Sequence, residues 1–480
     1  MKFGRNFSLF LLSALIQGGI SFAMVPVSTY VLGPEDFGLF ALVSVIPGLL
    51  TVIATMGADY LFAKYYPTAN PDERRTLVST VLAVGGGLLA LGSACLLAGW
   101  AVAVQFVSQL EQVPLRFLGL SLASMVLAFP WVVASYIVTL DGKAPLHAVI
   151  TVIQAVVSAL IVIVGLYALR LGVEALFWSA IGTSMVSLAG AWMVLRAYAR
   201  PTASRTWAWS MIRVGMPVSV ANLMETLQSF LERYLLTAFV GLHALGLYAH
   251  SQQYRNMVSM PLKSVSRAIW PITLHESREG RNQFGATRDA WDASYVGVTV
   301  IGLLFATLGE ALIGVLTHGK FVDAAPLVAL WMVFILVQNS GKPQTGVLYA
   351  RGQLHACSRL MVISAGAGIL LMTLLIPAVG MLGAIIATIA QQVLYRVGIQ
   401  LAGGVEGVPR HDKWVIVGAM MVLATQALTA SFSLGWTGNL VVFLLAASAF
   451  ALMAQRVIWS SIVNLTAWLD SPAAGLRASR

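Results

Sequence analysis

Apolar runs of roughly twenty residues recur along nearly the whole chain and are separated by short polar segments. A helix needs about 20 apolar residues to cross the hydrocarbon core of a bilayer, and only helices and closed barrels satisfy their own backbone there. Composition agrees, because 58% of the residues are hydrophobic and only 10% are charged, against about 25% charged in an average soluble domain. The sequence therefore predicts an all-α membrane protein that crosses the bilayer many times.

The apolar runs predict fourteen spans, and an even number places both termini on the same side. The first run is longer than the roughly 7–15 apolar residues of a signal-peptide core and is followed by no small-x-small cleavage site, so we expect it to be the first span of the mature protein. The spans lie at about residues 7–32, 38–63, 77–104, 117–140, 146–169, 175–196, 214–240, 247–269, 293–316, 327–350, 359–377, 381–400, 414–432 and 439–457.

The distribution of Lys and Arg predicts the orientation, because cytoplasmic loops are enriched in both residues. With the N-terminus in the cytoplasm, 23 of the 29 Lys and Arg residues fall on the cytoplasmic side, whereas three, Arg116, Arg170 and Lys320, fall outside. We therefore predict a multi-pass protein of the cell inner membrane with both termini and the 201–213 loop in the cytoplasm. The net charge of +10 follows from this topology and favours membrane lipid, not nucleic acid, as a partner.

Motifs and loop lengths argue against catalysis. No GxGxxG, P-loop, HExxH or CxxC pattern is present, and the two cysteines, Cys95 and Cys357, are interpreted as ordinary small residues. The longest outside loop, residues 105–116, is too short to fold as a domain. We expect no cofactor, no metal site and no enzymatic activity, and we place the function within the bilayer.

Two turn sequences recur at an offset of 208 residues. The turn from Gly33 to Gly38 matches the turn from Gly241 to Gly246, and Gly172 before span six matches Gly380 before span twelve. These matches predict that spans 1–6 and 7–12 are duplicated lobes related by an axis along the membrane normal, with a binding site between them near the midplane. The predicted domains are residues 1–200, residues 201–402, and residues 403–480 with two additional spans and a cytoplasmic tail.

Three segments resemble polysaccharide-transport flippases of the Wzx type, within the multidrug/oligosaccharidyl-lipid/polysaccharide (MOP) exporter superfamily. They are residues 30–41, residues 232–236 with 241–248, and residues 348–353 followed by residues 376–387. The resemblance covers spans 1–12 and implies two six-helix lobes around a cavity, alternating access, and transfer of an undecaprenyl-pyrophosphate-linked glycan to the outer leaflet for surface polysaccharide biosynthesis. It also implies other polysaccharide-assembly proteins as partners. Spans 13 and 14 resemble the extra pair of the fourteen-span members.

Four basic residues are candidates for binding an anionic substrate. A charge at bilayer depth costs at least about 2.5–3.5 kcal/mol on insertion scales, so a charge kept there usually faces a cavity or a partner. A pyrophosphate needs such cations, since Arg offers a bidentate fork and Lys a point charge. Anchoring at the inner interface is the alternative for two of them, and another lies beside Pro343 at an expected kink. The candidates are Arg255, Lys263, Arg267 and Lys342, with anchoring open for Lys263 and Arg267 and the kink at Lys342.

Span seven carries polar residues at helical spacing, which predicts one polar face. Glu225 lies roughly 16 Å from the inner end of the span, where it would carry a coupling proton or cation, or form an ion pair with Arg255. Glu232 and Arg233 lie nearer the outer surface and are candidates for coupling or ion pairing, with capping or snorkelling as the alternative.

Three competing functions fit part of this pattern. A cation-coupled drug or metabolite exporter of the same superfamily would have twelve spans and an acid-dominated cavity. A membrane glycan polymerase or ligase would carry a large outer loop with catalytic Arg or His. A membrane scaffold without transport activity stays open. Fourteen spans and intramembrane basic residues favour the glycan flippase.

Overall fold

The computed structural model describes residues 2–106, 113–198, 203–278, 285–350, 353–401, 412–432 and 435–470. All regular elements within these ranges are helical, and 11 of the helices are long and apolar enough to cross a membrane. The prediction of an all-α multi-pass membrane protein is therefore confirmed. The tail after Asp470, the segment 402–411 and part of the 201–213 loop lie outside the described residues.

The helices follow the chain order with short connections. In the first half they are α1 Lys2–Val31, α2 Pro34–Ser44, α3 Ile46–Thr55, α4 Ala58–Tyr65, α5 Pro71–Phe106, α6 Leu115–Leu140, α7 Ala144–Ile163, α8 Glu174–Leu195, α9 Arg205–Ser210 and α10 Met216–Phe239. In the second half they are α11 Leu242–Arg278, α12 Gly285–Leu316, α13 Ala325–Ser340, α14 Lys342–Ala350, α15 Leu354–Leu401, α16 Asp412–Phe432 and α17 Trp436–Asp470. Single π-helical turns follow α7 and α9 at Val164–Ala168 and Met211–Gly215.

In the described part of the chain, eleven helices are long and apolar enough to cross a membrane, whereas the sequence predicts fourteen spans. Helices α10 and α11, over predicted spans seven and eight, are too polar to be counted among the eleven. Helix α15 is counted once although Val379 and Gly380 leave helical geometry inside it. A straight helix of its 48 residues would be about 70 Å long, more than twice the roughly 30 Å hydrocarbon core. The count of fourteen stays a prediction.

Predicted span two is a broken helix, and the expectation of one continuous helix over 38–63 is wrong. It consists of α2, α3 and α4, and two local causes interrupt it. Pro47 has no N–H to donate within the helix, and Met56 and Gly57 adopt φ of 43° and 67°. Positive φ is uncommon for a residue other than glycine, so the break at Met56 is held by its surroundings.

The chain separates into two compact units, Ser8–Gly246 and Leu247–Arg480, the second including Met1–Phe7. Helix α10 packs against α2 and α3 within the first unit, whereas the sequence places span seven at the start of a second lobe beginning at residue 201. The duplicated lobes with a boundary near residue 200 stay a prediction.

Within Ser8–Gly246, two glycines make a reciprocal close approach. A Cβ on Gly38 would collide with the carbonyl oxygen of Leu242, and a Cβ on Gly246 would collide with the carbonyl oxygen of Pro34. Under the predicted 208-residue repeat, position 34 corresponds to 242 and position 38 corresponds to 246. Each glycine therefore contacts the equivalent of the other's partner. Reciprocal contacts of this kind are what a two-fold relation between two copies produces.

The second matched turn also has matching backbone geometry. Gly172 and Gly380 adopt φ of 58° and 60°, a left-handed conformation that glycine enters without steric cost. Gly33 and Gly241 differ, with φ of −96° and 102°. The turn residues thus share geometry at one of the two matched positions.

Within Leu247–Arg480, the last two helices pack against α12 and α13. Their common core contains Leu303 from α12, Ala329 from α13, Val422 from α16 and Phe450 from α17, all fully buried. An ion pair between Arg396 on α15 and Asp412 at the start of α16 joins the preceding helix to this cluster. The additional spans are therefore integral to this unit.

Candidate functional site

Arg255 on α11 lies against two aromatic rings of α13. Its guanidinium carbon is 4.3 Å from the centroid of the Trp331 ring and 5.6 Å from that of Phe334. Both distances fall within the roughly 6 Å over which a ring quadrupole attracts a cation. Arg255 is half-buried, and Trp331 is fully buried. The guanidinium also donates to the side-chain oxygen of Asn256 over 3.4 Å, so the charge contacts two aromatic faces and one amide oxygen.

The Trp331 ring is itself fixed by hydrogen bonds. Its indole N–H donates to the Ser251 hydroxyl over 2.9 Å, and that hydroxyl donates to the Tyr248 carbonyl oxygen over 2.7 Å. Ser251 and Tyr248 precede Arg255 on α11 by one and two helical turns, so they lie on the same helix face. Helix α11 thus supplies both the cation and the group that orients the ring beneath it.

The two lysines among the basic candidates lie close together in the same unit. Lys342, the first residue of α14, has its ammonium nitrogen 6.0 Å from the centroid of the Trp291 ring on α12. Lys263, on α11, is close enough to repel the Lys342 ammonium. Lys263 is exposed and Lys342 is half-buried, so the structure brings together two of the four basic candidates. The side chain of Arg267 lies outside the described residues.

The residues on the polar face of α10 differ in how far they are buried. Glu225 is exposed, Asn222 and Ser229 are half-buried, and Glu232 is 5% exposed. Glu225 and Arg255 belong to different compact units, and the ion pair suggested for them stays a prediction. The coupling roles of Glu225 and Glu232 also stay predictions.

Arg233 has a defined contact at the break in predicted span two. Its guanidinium donates to the Ala41 carbonyl oxygen over 2.6 Å and lies 3.5 Å from the Ser44 hydroxyl. The Val45 N–H bonds to Val43 instead of closing a helical turn onto Ala41. The Ala41 carbonyl therefore takes its donors from side chains, the Ser44 hydroxyl at 3.3 Å and Arg233. Arg233 therefore makes a contact of the capping kind, whereas its role in coupling or ion pairing stays a prediction.

A polar cluster ties together the ends of three predicted cytoplasmic segments in the first unit. Tyr66 donates to the Asp141 carboxylate over 3.2 Å and is 2.7 Å from the Tyr198 hydroxyl, which is then the donor to Tyr66. The Arg74 guanidinium lies 4.7 Å above the Tyr66 ring, and Lys143 pairs with Asp141 at 3.0 Å. Burial, followed by the hydrogen bonds and charges of Tyr198 and Asp141, raises the pKa of Tyr66.

Sequence reasoning missed the aromatic partners of the cations. Trp331 lies in a continuous apolar run and Trp291 lies at a span end, positions typical of core and interfacial residues. The sole sequence signal for Trp331 is that its predicted span also carries Lys342. Ser251 lies four residues before Arg255 in the sequence, but its bond to a different helix has no sequence signature.

A resident metal has no obvious ligand set in the described part of the chain. Within it, no group of three or more His, Cys, Asp or Glu side chains is placed to hold a metal ion. The cations of α11 and α14 suit an anion better than a metal.

The fold is shared with integral membrane proteins of known structure. The structure of the lipid II flippase MurJ in an inward closed conformation has a TM-score of 0.67 at 11% identity, covering 94% of this chain and 99% of that one. An inward-facing multidrug resistance MATE transporter of the MOP superfamily has a TM-score of 0.58 at 13% identity, covering 88% and 95%. At these identities the likeness shows the fold alone.

The family model for polysaccharide biosynthesis proteins matches residues 3–274, more than half of the 480-residue chain. The protein belongs to this family, and the resemblance seen in the sequence is confirmed. An uncharacterized membrane protein of Methanocaldococcus jannaschii is 23% identical over 190 residues, which cover 39% of this chain and 37% of that protein. The match thus spans little more than a third of this relative.

Proposed function

We propose that this protein is a flippase that moves a lipid-linked oligosaccharide across the bacterial inner membrane by alternating access, for surface polysaccharide biosynthesis. The family supplies the polysaccharide context, and the fold is shared with a lipid II flippase. The predicted topology places both termini in the cytoplasm and the substrate's point of entry on the Lys- and Arg-rich side. Undecaprenyl pyrophosphate is the carrier that the family resemblance implies.

The observation that carries this proposal is the position of Arg255. It lies inside a predicted span, half-buried, with its charge against the faces of Trp331 and Phe334. An arginine there costs several kcal/mol on insertion unless a cavity or partner receives it. A pyrophosphate is a suitable partner for the Arg255 charge because an arginine fork binds two of its oxygens at once.

The other basic candidates extend this site along one helix. Lys263 lies eight residues beyond Arg255 on α11, about 12 Å further toward the predicted cytoplasmic end. Lys342 from α14 joins it there. Arg267 continues the same helix repeat in the sequence. We infer that the lysines receive the pyrophosphate near the inner leaflet and that Arg255 holds it deeper in the membrane.

Coupling to a proton or another cation is assigned to the acidic face of α10. Glu225 is exposed on this helix, and a carboxylate within a membrane span is a common proton or ion relay. Glu232 is the buried alternative. A Glu225→Gln variant should then lose dependence of transport on the ion gradient while still binding the lipid-linked substrate.

The test is substitution of Arg255 in cells that depend on this protein for surface polysaccharide. Arg255→Ala and Arg255→Glu should abolish most polysaccharide export and Arg255→Lys should retain part of it, all at wild-type expression. Loss of a charge-assisted contact worth about 1.5–3 kcal/mol corresponds to roughly ten- to hundred-fold weaker binding.

The matched control is Arg196→Ala. Arg196 also makes a cation–π contact, with Trp192 at 5.3 Å, but both residues are exposed, so export should be unchanged. Wild-type export by Arg255→Ala would refute the assignment of Arg255. Accumulation of drugs in cells lacking the protein, with normal surface polysaccharide, would favour the exporter alternative.

A further inference from the structure

We propose that Trp331 is a positioning residue for Arg255 and that Ser251 holds Trp331 in the orientation that this requires. The inference rests on the proposed anion-binding role of Arg255 and deepens it. It assigns the aromatic ring of one helix, and a hydroxyl of another, to the geometry of the binding site.

The first step is the fixed orientation of the ring. Trp331 and Ser251 are both fully buried, and the 2.9 Å bond joins the single donor of the indole to the hydroxyl oxygen. The hydroxyl proton is used on the Tyr248 carbonyl, so the oxygen is left as an acceptor and the direction of both bonds is determined. The Tyr248 ring, 5.6 Å from the Trp331 ring, encloses the same group.

The second step is the effect of this ring on the arginine. A free arginine side chain samples many rotamers, and ordering it on binding an anion weakens the binding. Trp is the best aromatic face for a cation, and the Trp331 ring is closer to the Arg255 guanidinium than the Phe334 ring is. A guanidinium that already rests on a fixed ring loses less freedom when its N–H groups meet a pyrophosphate.

The third step is the contrast with the exposed pair elsewhere in the chain. Arg196 lies 5.3 Å from the Trp192 ring, but Trp192 is 64% exposed and precedes Arg196 by four residues on the same helical stretch, as neighbouring surface residues do. Arg255 instead uses a ring from a distant helix, fully buried and hydrogen-bonded. The contact of Arg255 therefore joins two helices, whereas the exposed Trp192–Arg196 contact lies within one helical stretch.

The experiment is a double-mutant cycle on the purified full-length protein in lipid nanodiscs. Binding of undecaprenyl pyrophosphate is measured for wild type, Arg255→Ala, Trp331→Leu and the double variant, with Trp192→Leu as the matched control. Loss of a cation–π contact should weaken binding about five- to thirty-fold in Trp331→Leu. The double variant should bind no more weakly than Arg255→Ala alone, because Trp331 acts through Arg255.

Two milder variants keep the test decisive if Trp331→Leu does not fold. Trp331→Phe keeps a ring but loses the bond to Ser251, and Ser251→Ala keeps the indole but removes its acceptor. Each should weaken binding less than Trp331→Leu and should again have no further effect when Arg255 is Ala. Monodispersity and thermal unfolding of each variant separate a loss of fold from a loss of binding.

The outcomes distinguish this inference from the proposed function. If Arg255→Ala binds the lipid as wild type does, the anion site itself is refuted. If Arg255→Ala loses binding but the Trp331 and Ser251 variants retain it, or if their effects add to that of Arg255→Ala, the positioning role is refuted and the anion site stands. Trp192→Leu should bind as wild type does.

Discussion

Arg233 and Arg255 lie in consecutive predicted spans, and their surroundings in the structure are opposite. Arg233 donates to the Ala41 carbonyl at a break between two short helices. Arg255 lies over the Trp331 and Phe334 rings in an unbroken helix. The first contact satisfies a backbone group, whereas the second holds a charge against apolar faces. The same residue type at membrane depth thus serves the backbone in one case and is suited to a ligand in the other.

The packing around each arginine supports this contrast. The helix that carries Arg233 lies against the broken span along its length, with Thr226 Cγ2 within 3.6 Å of a Cβ placed on Gly48 and backbone contact between Gly57 and Gly215. The helix that carries Arg255 contacts α13 through Ser251 and two aromatic rings. Backbone-to-backbone packing leaves little room for change, so we expect the first region to respond to substitution in stability and the second in binding.

The largest expected effect is in the backbone-packed region. Gly38→Val places a side chain where the Leu242 carbonyl already lies, and neither backbone can move without breaking its own helix. We expect a loss of about 3 kcal/mol or more in unfolding free energy, seen as little folded protein by fluorescence-detected size-exclusion chromatography. Gly86→Val is the control, since nothing lies within 4 Å of a Cβ there. Equal accumulation of the two variants would contradict the assigned packing.

The second-largest effect is expected from substitution of the two arginines, which can be compared directly. Methionine keeps an unbranched stem and removes the charge, so Arg233→Met should lose about 1.5–3 kcal/mol of stability by leaving the Ala41 carbonyl without this donor. Arg255→Met should lose about 0.5–2 kcal/mol, the range of a cation–π contact. Thermal unfolding in detergent should therefore rank Arg233→Met as less stable than Arg255→Met. Lipid binding should give the reverse order, and the comparison fails if both measurements rank the variants alike.

A smaller effect is expected at the lysine pair. Lys342 lies at the outer limit of a cation–π contact with Trp291, and Lys263 is exposed, so neither charge is as well fixed as that of Arg255. Lys263→Met and Lys342→Met should each reduce binding of undecaprenyl pyrophosphate by about three- to ten-fold, less than Arg255→Met. Steeper salt dependence of binding in wild type than in either variant would support direct charge contact. A loss exceeding that of Arg255→Met would place the principal anion site at the lysines.

The smallest effect is expected at the polar cluster of the first unit, which like Arg233 has a structural role. Tyr66→Phe removes the bonds to Asp141 and Tyr198 and should cost about 1 kcal/mol at neutral pH. The raised pKa of Tyr66 means that the folded protein holds this proton more tightly than the unfolded chain does. Its contribution to stability is therefore present below about pH 10 and declines as pH rises above that value.

The pH dependence supplies the control for this last variant. Between about pH 10 and 11, the wild-type unfolding free energy should fall more steeply than that of Tyr66→Phe, which lacks the titrating hydroxyl. Lipid binding at neutral pH should be unchanged. Identical alkaline slopes in thermal unfolding would show that Tyr66 is not held protonated by the fold.

The sequence located most of the features that carry charge but not their partners. Ser251, Arg255 and Lys263 are separated by four and eight residues in the sequence, and residues four apart lie on one face of a helix. The ring of Trp331 comes from 76 positions beyond Arg255, and no local pattern fixes which apolar helix faces a cation. The same holds for Arg233, whose acceptor lies on a helix 192 residues earlier.

Local sequence predicts where a helix lies better than it predicts where a helix is interrupted. Each predicted span is helical in the structure within the described residues, because a long apolar segment in lipid has to satisfy its backbone internally. The break at Met56 was not predicted, since the sequence there holds a single glycine, and a left-handed methionine is stabilised by the backbone of Gly215 packed against Gly57.

The sequence by itself determined that this chain is a many-spanning helical membrane protein and which few of its spans carry charge. Hydropathy and helical period are local properties, and the bilayer imposes both on the segment that crosses it. Only the tertiary structure decided what each charge touches: a carbonyl released by a broken helix for Arg233, and a hydrogen-bonded indole for Arg255. Those contacts depend on which helices lie side by side, and that is settled by packing over the whole chain.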